Sequence, residues 1–203
     1  MEKLNIANLI PCTEVEGPGQ RFAIWVQGCL LQCRGCCNKG MQPLEPRSII
    51  EATEVVSLIK GAMESYVLEG VTFLGGEPML QAKGLSLVAE ECQKLGLSVM
   101  TFTGYTMEQL KEMKLSGIES LLEHTDILVD GAFLLDSPER ERNWVGSTNQ
   151  VIHFLSNRYP AGIEYDSRYT HAMEVRIGDN GEILANGYPI FDFKNHEELL
   201  SKS

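Results

Sequence analysis

The sequence predicts an α/β fold built on parallel strands. Short apolar segments alternate with segments of helical spacing along most of the chain, which is the order that βαβ units produce. Several of the apolar segments run directly into glycine, cysteine or polar residues. A chain of 203 residues is long enough for one domain with its own hydrophobic core. Two architectures agree with this pattern, an open doubly wound sheet and a partial (β/α) barrel.

The elements are predicted in chain order from hydrophobic periodicity. Strands are predicted over residues 21–27, 70–74, 97–103, 126–130 and 150–155. Helices are predicted over residues 48–63, 80–95, 106–114 and 118–124. Ser48 is expected to cap the first helix, and Gly96 to end the second. Ligands bind at the carboxyl ends of parallel strands, so we expect Cys29, residues 75–77, Thr101, Thr103 and Asp130 to meet around one site.

The C-terminal residues differ from this α/β pattern. Met173–Ile177 and residues 182–185 flank Gly178-Asp179-Asn180-Gly181, which is typical of a β-hairpin. A terminal helix is predicted over residues 191–200. We therefore expect a core over residues 1–158 and a hairpin and helix extension over residues 159–203.

The charge of the chain argues against several classes of protein. The 28 acidic and 17 basic residues give a formal charge of −11, which disfavours non-specific binding to nucleic acid. No apolar run approaches the ~20 residues of a membrane span. The first residues, MEKLNIANLI, do not have the layout of a secretory signal. A cytoplasmic protein with no membrane partner is the expectation.

Four of the six cysteines fall within nine residues. Cys29, Cys33 and Cys36 are separated by three and by two residues, and Cys37 follows directly. In a chain without an export signal this density indicates a metal or redox site rather than disulfides. An iron–sulfur cluster is favoured, and three thiolates on a four-iron cluster would leave one iron free to bind a ligand. A zinc site, which needs a fourth ligand, and a group of buried or oxidisable thiols are the alternatives.

Polar and glycine residues at other strand ends are further candidates. Gly75-Gly76-Glu77-Pro78 follows a predicted strand, and its glycines allow close approach of backbone to a ligand. The Glu77 carboxylate could accept hydrogen bonds from an ammonium group, although an ordinary strand-to-helix turn would have the same sequence. Thr101 and Thr103 point to one face of a strand, where they either bind a polar ligand or only favour β structure. Asp130 is either a ligand contact or a turn residue.

The cysteine and glycine motifs together resemble the radical S-adenosylmethionine (SAM) superfamily. Six further runs resemble the activating proteins of anaerobic (class III) ribonucleotide reductase and, more distantly, the pyruvate formate-lyase activating enzyme. These runs are Glu16-Gly17-Pro18-Gly19-Gln20-Arg21, Gly28-Cys29, Cys36 with Asn38 close behind, Thr103-Gly104-Tyr105, Ile127-Leu128-Val129-Asp130-Gly131 and Trp144-Val145-Gly146-Ser147-Thr148-Asn149-Gln150. The resemblance extends from about residue 5 to about residue 158.

This resemblance implies a partial (β/α) barrel of the radical SAM type with a [4Fe-4S] cluster on Cys29, Cys33 and Cys36. The open iron would chelate SAM, and reductive cleavage would give a 5′-deoxyadenosyl radical that takes hydrogen from a glycine of a partner glycyl-radical enzyme. An electron donor such as flavodoxin or ferredoxin is implied as well. The implied cofactor contacts are Gly35 at the adenine, Gly75, Gly76 and Glu77 at the methionine amino group, and Thr101, Thr103 and Asp130 on the cofactor or partner side. Asn38, which follows Cys36 closely in sequence, is a further implied cofactor contact.

Three positions depart from the pattern of these activating proteins. Ala132 stands where a basic residue is usual, Val145 where arginine is common, and Cys37 where an aromatic residue or histidine is usual. These departures and the extra hairpin motivate a second hypothesis, a radical SAM enzyme that modifies a peptide or a small molecule. A zinc-stabilised binding module is a third, non-catalytic hypothesis.

Overall fold

The computed structural model describes residues 2–169, 172–178, 181 and 183–188. Within these residues the main element is a seven-stranded sheet with the order β3-β1-β2-β4-β5-β6-β7. Its strands are β1 (Lys3–Thr13), β2 (Arg21–Val26), β3 (Ser48–Glu51), β4 (Gly70–Gly75), β5 (Ser98–Phe102), β6 (Ile127–Asp130) and β7 (Val151–Phe154). The helices are α1 (Ala52–Met63), α2 (Ala82–Lys94), α3 (Met107–Glu112) and α4 (Ile118–Glu123).

The centre of the sheet confirms the α/β prediction. Strands β2, β4, β5 and β6 are parallel neighbours, while β1, β3 and β7 pair antiparallel at the two sides. Strand β7 follows β6 through a connection, residues 131–150, that contains no helix, and it therefore returns in the opposite direction. The structure shows a mixed sheet with a parallel centre and does not show a barrel.

Two predictions at the N-terminal side were wrong. Strand β1 was not predicted, although it is the longest strand among the described residues. The residues Ser48–Glu51 form strand β3 instead of the first turn of a helix, because they pair with residues 3–6 of β1. Helix α1 begins at Ala52 with Glu51 as its N-cap residue, so Ser48 does not cap it.

The four helices pack on one face of the sheet, which we call the helix face. Their buried aliphatic side chains form one cluster with alternate residues of the strands, as the two-residue period of a strand requires. Val55 and Ile59 of α1 and Leu85 and Val88 of α2 lie fully buried in this cluster. Each such side chain contributes about 1.5–3 kcal/mol through removal from water. The helix face therefore supplies most of the hydrophobic core.

The opposite face of the sheet, which we call the loop face, is covered by irregular segments and the hairpin. Trp25 of β2 and Leu74 of β4 belong to a small apolar cluster there, and Met100 of β5 belongs to another. Arg21, the first residue of β2, is fully buried and donates hydrogen bonds to Thr72 Oγ1 (2.6 Å) and Pro18 O (3.0 Å). Polar contacts thus have a larger share in holding this face.

The predicted C-terminal hairpin is present. Strands β8 (Met173–Ile177) and β9 (Ile183–Gly187) pair antiparallel in a separate two-stranded sheet. Glu174 accepts hydrogen bonds from Thr13 Oγ1 and Glu14 N (both 2.8 Å), and Arg176 donates to Cys12 O (2.9 Å). The terminal helix predicted over residues 191–200 lies outside the described residues. Among the described residues, no helix combines the length and hydropathy needed to cross a membrane.

Candidate active site

The three spaced cysteines lie on one loop at the carboxyl end of β2. The loop begins at Gly28, which has φ +102°. The N–H groups of Gly28 and Cys29 donate to the carbonyl oxygens of Met41 (2.8 Å) and Gln42 (2.9 Å). Residues 28–29 and 41–42 are therefore held side by side, which fixes the start of the cysteine loop. Cys29 is buried, and Cys33 and Cys36 are half-buried.

The surroundings of these thiols combine burial with backbone donors. Burial raises the pKa of Cys29, while N–H groups of Leu31 and Gln32 lower it and Cys33 raises it slightly through charge repulsion. Burial likewise raises the pKa of Cys36, opposed by the Asn38 N–H. The distance from Leu31 N to Cys29 Sγ is 3.4 Å. Backbone N–H groups directed at cysteine sulfur are a feature of iron–sulfur sites, where they tune the cluster, and metal binding deprotonates the thiols. The donor set fits such a cluster.

The thiols do not converge as ligands of a single ion would. In the part of the chain that the structure describes, no three His, Cys, Asp or Glu side chains form a single-ion site. A structural zinc ion draws four ligand atoms to within about 2.0–2.3 Å of one point, whereas a cluster holds its cysteines on different irons. Among the described residues, the side chains therefore do not form a closed zinc site.

The glycine motif after β4 is pressed against the cysteine loop. Gly76 N donates to Val26 O (2.7 Å), and Glu77 N donates to Gly28 O (2.8 Å). A Cβ atom on Gly76 would lie 2.4 Å from Gly28 O, which is impossible without moving the backbone. Asn38 Nδ2 lies 3.4 Å from Gly75 O and donates to it. The sequence-predicted residues Asn38, Gly75, Gly76 and Glu77 are thus brought together beside the cysteines.

The Glu77 carboxylate joins the ends of β4 and β5 instead of facing solvent. It accepts hydrogen bonds from Met79 N (2.9 Å), Thr103 Oγ1 (2.8 Å) and Gly104 N (2.9 Å). Burial raises the pKa of Glu77 to about 7, although these three donors favour its charged form. Glu77 therefore acts through its side chain as a positioning residue, and its backbone remains beside the cysteine loop.

The loops after β5 and β6 complete this end of the sheet. A Cβ atom on Gly104 would lie 2.3 Å from Leu31 Cδ1, and one on Gly35, which has φ +76°, would lie 2.8 Å from Leu135 Cδ1. The cysteine loop is therefore in close contact with the segments that follow β4, β5 and β6. The segments that follow β2, β4, β5 and β6 thus meet at this end of the sheet.

Thr101 and Asp130 point the other way, to the helix face. Thr101 Oγ1 lies 3.1 Å from Thr125 Oγ1, whose hydroxyl donates to Leu121 O in α4. Asp130 Oδ2 accepts from Met107 N (2.7 Å) at the start of α3 and contacts His153 Nε2 (2.9 Å). Their contacts in the structure are with helices α3 and α4 and strand β7, and a direct role for them with a cofactor stays a prediction.

The sequence reasoning did not single out the residues that hold the surrounding loops. Gln150 Oε1 accepts from the N–H groups of Gly146 (3.0 Å) and Ser147 (3.1 Å), and Gln150 Nε2 donates to Gly131 O (2.9 Å). Glu16 Oε1 accepts from Gly187 N (2.8 Å) and so ties the hairpin to the segment before β2. Burial raises the pKa of Glu16 to about 7. Gln150 and Glu16 lie in runs that carry the sequence resemblance, and this resemblance is the signal by which the sequence could have pointed to them.

Residues 15–153 match the family described as "4Fe-4S single cluster domain". The chain belongs to this family. Three similar proteins are each named anaerobic ribonucleoside-triphosphate reductase-activating protein. The relative from Vibrio cholerae is 31% identical over 156 residues, which are 74% of this chain and 97% of the relative. The relative from phage T4 is 28% identical over 158 residues, covering 73% and 93%, and that from Escherichia coli K12 is 26% identical over 159 residues, covering 75% and 99%.

A solved structure, QueE from Escherichia coli, is similar at 15% identity with a TM-score of 0.42 and covers 61% of this chain and 68% of that one. This likeness is weak, and membership in the 4Fe-4S family rests on the sequence matches. The resemblance that the cysteine and glycine motifs indicated is confirmed by the family match and by the names of the relatives. The family match includes the cysteine loop and the glycine motif, and it ends before the hairpin.

Proposed function

We propose that this protein is a glycyl-radical activase of the radical SAM type. The observation that carries the proposal is the contact between a loop with three spaced cysteines and the Gly75–Gly76 backbone, in a chain of the 4Fe-4S family. When bound, the cluster and SAM supply one-electron cleavage of SAM to methionine and a 5′-deoxyadenosyl radical. Relatives named as activating proteins of anaerobic ribonucleoside-triphosphate reductase support a glycine of such a reductase as the hydrogen donor.

The proposed roles follow from the contacts. Cys29, Cys33 and Cys36 hold the cluster, and the Leu31 and Asn38 N–H groups stabilise the thiolates on Cys29 and Cys36. The backbone of Gly75, Gly76 and Glu77, which the close packing of the two glycines holds beside the cysteine loop, receives the amino end of SAM. Gly35 and Asn38 line the adjoining part of the site.

Three further residues are proposed to act through others. Thr103 orients the Glu77 carboxylate, which in turn fixes the turn after β4. Thr101 and Asp130 anchor the ends of β5 and β6 to helices α4 and α3. A fixed site is needed because radical chemistry requires orientation of the reacting atoms and exclusion of water.

The domain limits belong to the same proposal. Residues 1–158 are taken as the catalytic core, with the partial barrel that the radical SAM resemblance implies, and residues 159–203 as an extension. The family match over residues 15–153 supports this division. A protein electron donor of the flavodoxin or ferredoxin type is part of the proposal, because the cluster needs a low-potential electron. A cytoplasmic location is a further part of the proposal.

The second candidate is a radical SAM enzyme that modifies a peptide or small molecule. The hairpin beyond the family match is the observation in its favour. Val145, one of the departures, does not favour it, because Val145 is 1% exposed and packs with Met100, Ile127 and Val129 in the loop-face core. An arginine in that place would need a different packing, so the substitution has a structural reason.

Anaerobic reconstitution and electron spin resonance test the proposal. The protein should bind about four irons and four sulfides, and dithionite with SAM should give 5′-deoxyadenosine. With an anaerobic ribonucleotide reductase as partner, a glycine-centred doublet should form on the reductase. Zinc without iron, or no 5′-deoxyadenosine, would contradict the proposal. Cleavage of SAM with repeated covalent change of a co-encoded peptide and no doublet would support the second candidate instead.

A further inference from the structure

The surface around the cysteine loop differs in charge from the rest of the protein. Residues 28–47 contain three basic residues, Arg34, Lys39 and Arg47, and one acidic residue, Glu45, for a charge of +2. Because the whole chain carries −11, the other residues carry −13. The segment that contains the proposed cluster ligands is therefore positively charged, in contrast to the chain as a whole.

The basic side chains of this segment are available to a partner. Lys39 and Arg47 are exposed, and within the described residues neither has an ion-pair partner. Arg34 lies 3.5 Å from Asp136, but both side chains are more than three-quarters exposed, and such surface pairs contribute little. Glu45 and Asp136 are the acidic groups beside them, and they leave a net positive surface.

Exposed leucines accompany these charges. Leu30 is 58% exposed and Leu44 is 68% exposed. Leu44 lies against Gly28, with its Cδ2 atom 3.1 Å from where a Cβ of Gly28 would be. The hydrogen bonds of Gly28 and Cys29 to residues 41–42 bring the two ends of the segment side by side. Leu44 thus lies next to the start of the cysteine loop, and Leu30 directly follows Cys29.

We propose that the exposed side chains of Leu30, Leu44, Arg34, Lys39 and Arg47 form the docking site of an acidic one-electron carrier protein. This inference rests on the proposed function. One electron passes from the reduced carrier to the cluster, and no bond forms or breaks in that step. Complexes for electron transfer are small and weak, burying less than about 1,200 Å², and opposite charges on the two surfaces raise their association rate. Two exposed leucines in a segment of net positive charge fit an acidic carrier.

Charge reversal tests the docking site. The double variant Lys39→Glu with Arg47→Glu is compared with Lys60→Glu plus Lys111→Glu, which makes the same change in total charge on exposed residues of α1 and α3. The probe is a bacterial flavodoxin in its hydroquinone form, and the readout is the initial rate of 5′-deoxyadenosine formation. We expect the docking-site variant to raise the KM for flavodoxin at least tenfold at low salt and to weaken the salt dependence. The control should change the KM less than threefold.

Dithionite separates this inference from the proposed function. With dithionite as reductant, both variants should form 5′-deoxyadenosine at the wild-type rate. Equal KM values for the two variants would overturn the docking site while leaving the proposed function intact, whereas failure of the wild-type protein with dithionite would contradict the function itself. If the reversed variant loses its cluster, Lys39→Gln with Arg47→Gln replaces it. A KM raised about threefold or more in that variant supports the site, and an unchanged KM overturns it.

Discussion

The two faces of the central sheet are built by different means. On the helix face, side chains such as Ile59, Leu85 and Val99 meet in one aliphatic cluster. On the loop face, polar side chains bridge segments that are far apart in sequence, as Arg21 does between residues 18 and 98. The helix face therefore supplies a hydrophobic core whose residues recur with a regular period in the sequence. The loop face leaves the carboxyl ends of the strands free to form the site.

The largest difference between the faces should appear on removal of a thiol. Cys29→Ala removes a proposed cluster ligand, so we expect loss of bound iron and at least a hundredfold slower SAM cleavage with dithionite. Cys92→Ala makes the same change in the buried core of the helix face. It should cost about 1–2 kcal/mol of stability through a small cavity and leave the iron content unchanged. Iron analysis and 5′-deoxyadenosine assays check both, and equal activity of the two variants would contradict the assignment.

Loss of a buried polar bridge should cost as much as loss of a core leucine. Arg21 donates to Thr72 Oγ1, Ser98 Oγ (2.9 Å) and Val71 O (2.5 Å) without an ion-pair partner among the described residues. Burial lowers its pKa. Arg21→Met removes these donors. Thr72 and Ser98 keep their hydrogen bonds to Glu16 O and Glu69 O, and each buried group left without a partner costs about 1–3 kcal/mol.

Leu85→Ala on the helix face is the matched change and should cost about 2–5 kcal/mol. Urea unfolding of the variants measures both costs. We expect a total of about 3–5 kcal/mol for Arg21→Met. A cost below 1 kcal/mol would show that polar bridging does not hold the loop face.

Two buried glutamates, Glu77 and Glu139, should give opposite pH dependence. The pKa of Glu77 is raised by burial to about 7, so its folded form favours the proton and stability should fall as pH rises from about 4.5 to 7. Burial also opposes ionisation of Glu139, but N–H donors and Arg142 lower its pKa to about 2. Its contribution should therefore be present above about pH 4.5 and be lost as pH falls towards 2.

Each contribution is on the order of 2–3 kcal/mol by linkage. Glu77→Gln should flatten the fall in stability between pH 5 and 7, and Glu139→Gln should flatten its rise between pH 2 and 4.5. Thermal unfolding at several pH values measures these slopes. Unchanged slopes in Glu77→Gln would mean that this carboxylate is not held in the environment described.

The strands and helices that could be predicted from the sequence are those whose signal is local. Strands β2, β4, β5 and β6 and the cores of α1 and α2 were predicted because their apolar periods are local. Strand β1 was missed because its register shifts between Ile6 and Asn8 and between Ile10 and Thr13 interrupt the alternation. Residues 48–51 were taken as helix because only their pairing with β1, more than 40 residues away, makes them a strand.

The site residues also differ in whether a local sequence pattern predicts them. The three cysteines are close in sequence, so spacing was enough to find them. The period of a strand placed Thr101 and Thr103 on one face, but it could not tell that Thr101 meets α4 while Thr103 reaches Glu77 at the strand end. The contacts of Gly104 with Leu31 and of Gly35 with Leu135 depend on how separate loops meet, and no local pattern encodes them.

The smallest expected effects come from adding one methyl group to a glycine, either in the glycine motif or in helix α1. Gly76→Ala places a Cβ 2.4 Å from Gly28 O, so the glycine motif must move away from the cysteine loop. We expect about a tenfold weaker apparent affinity for SAM in the dithionite assay, with iron content retained. Gly61→Ala in α1 meets nothing within 4 Å and should stabilise the protein by about 0.5–1 kcal/mol. An unchanged KM for SAM in Gly76→Ala would mean that close approach at this glycine serves only the turn, and the proposed binding of SAM at the strand ends would need another contact.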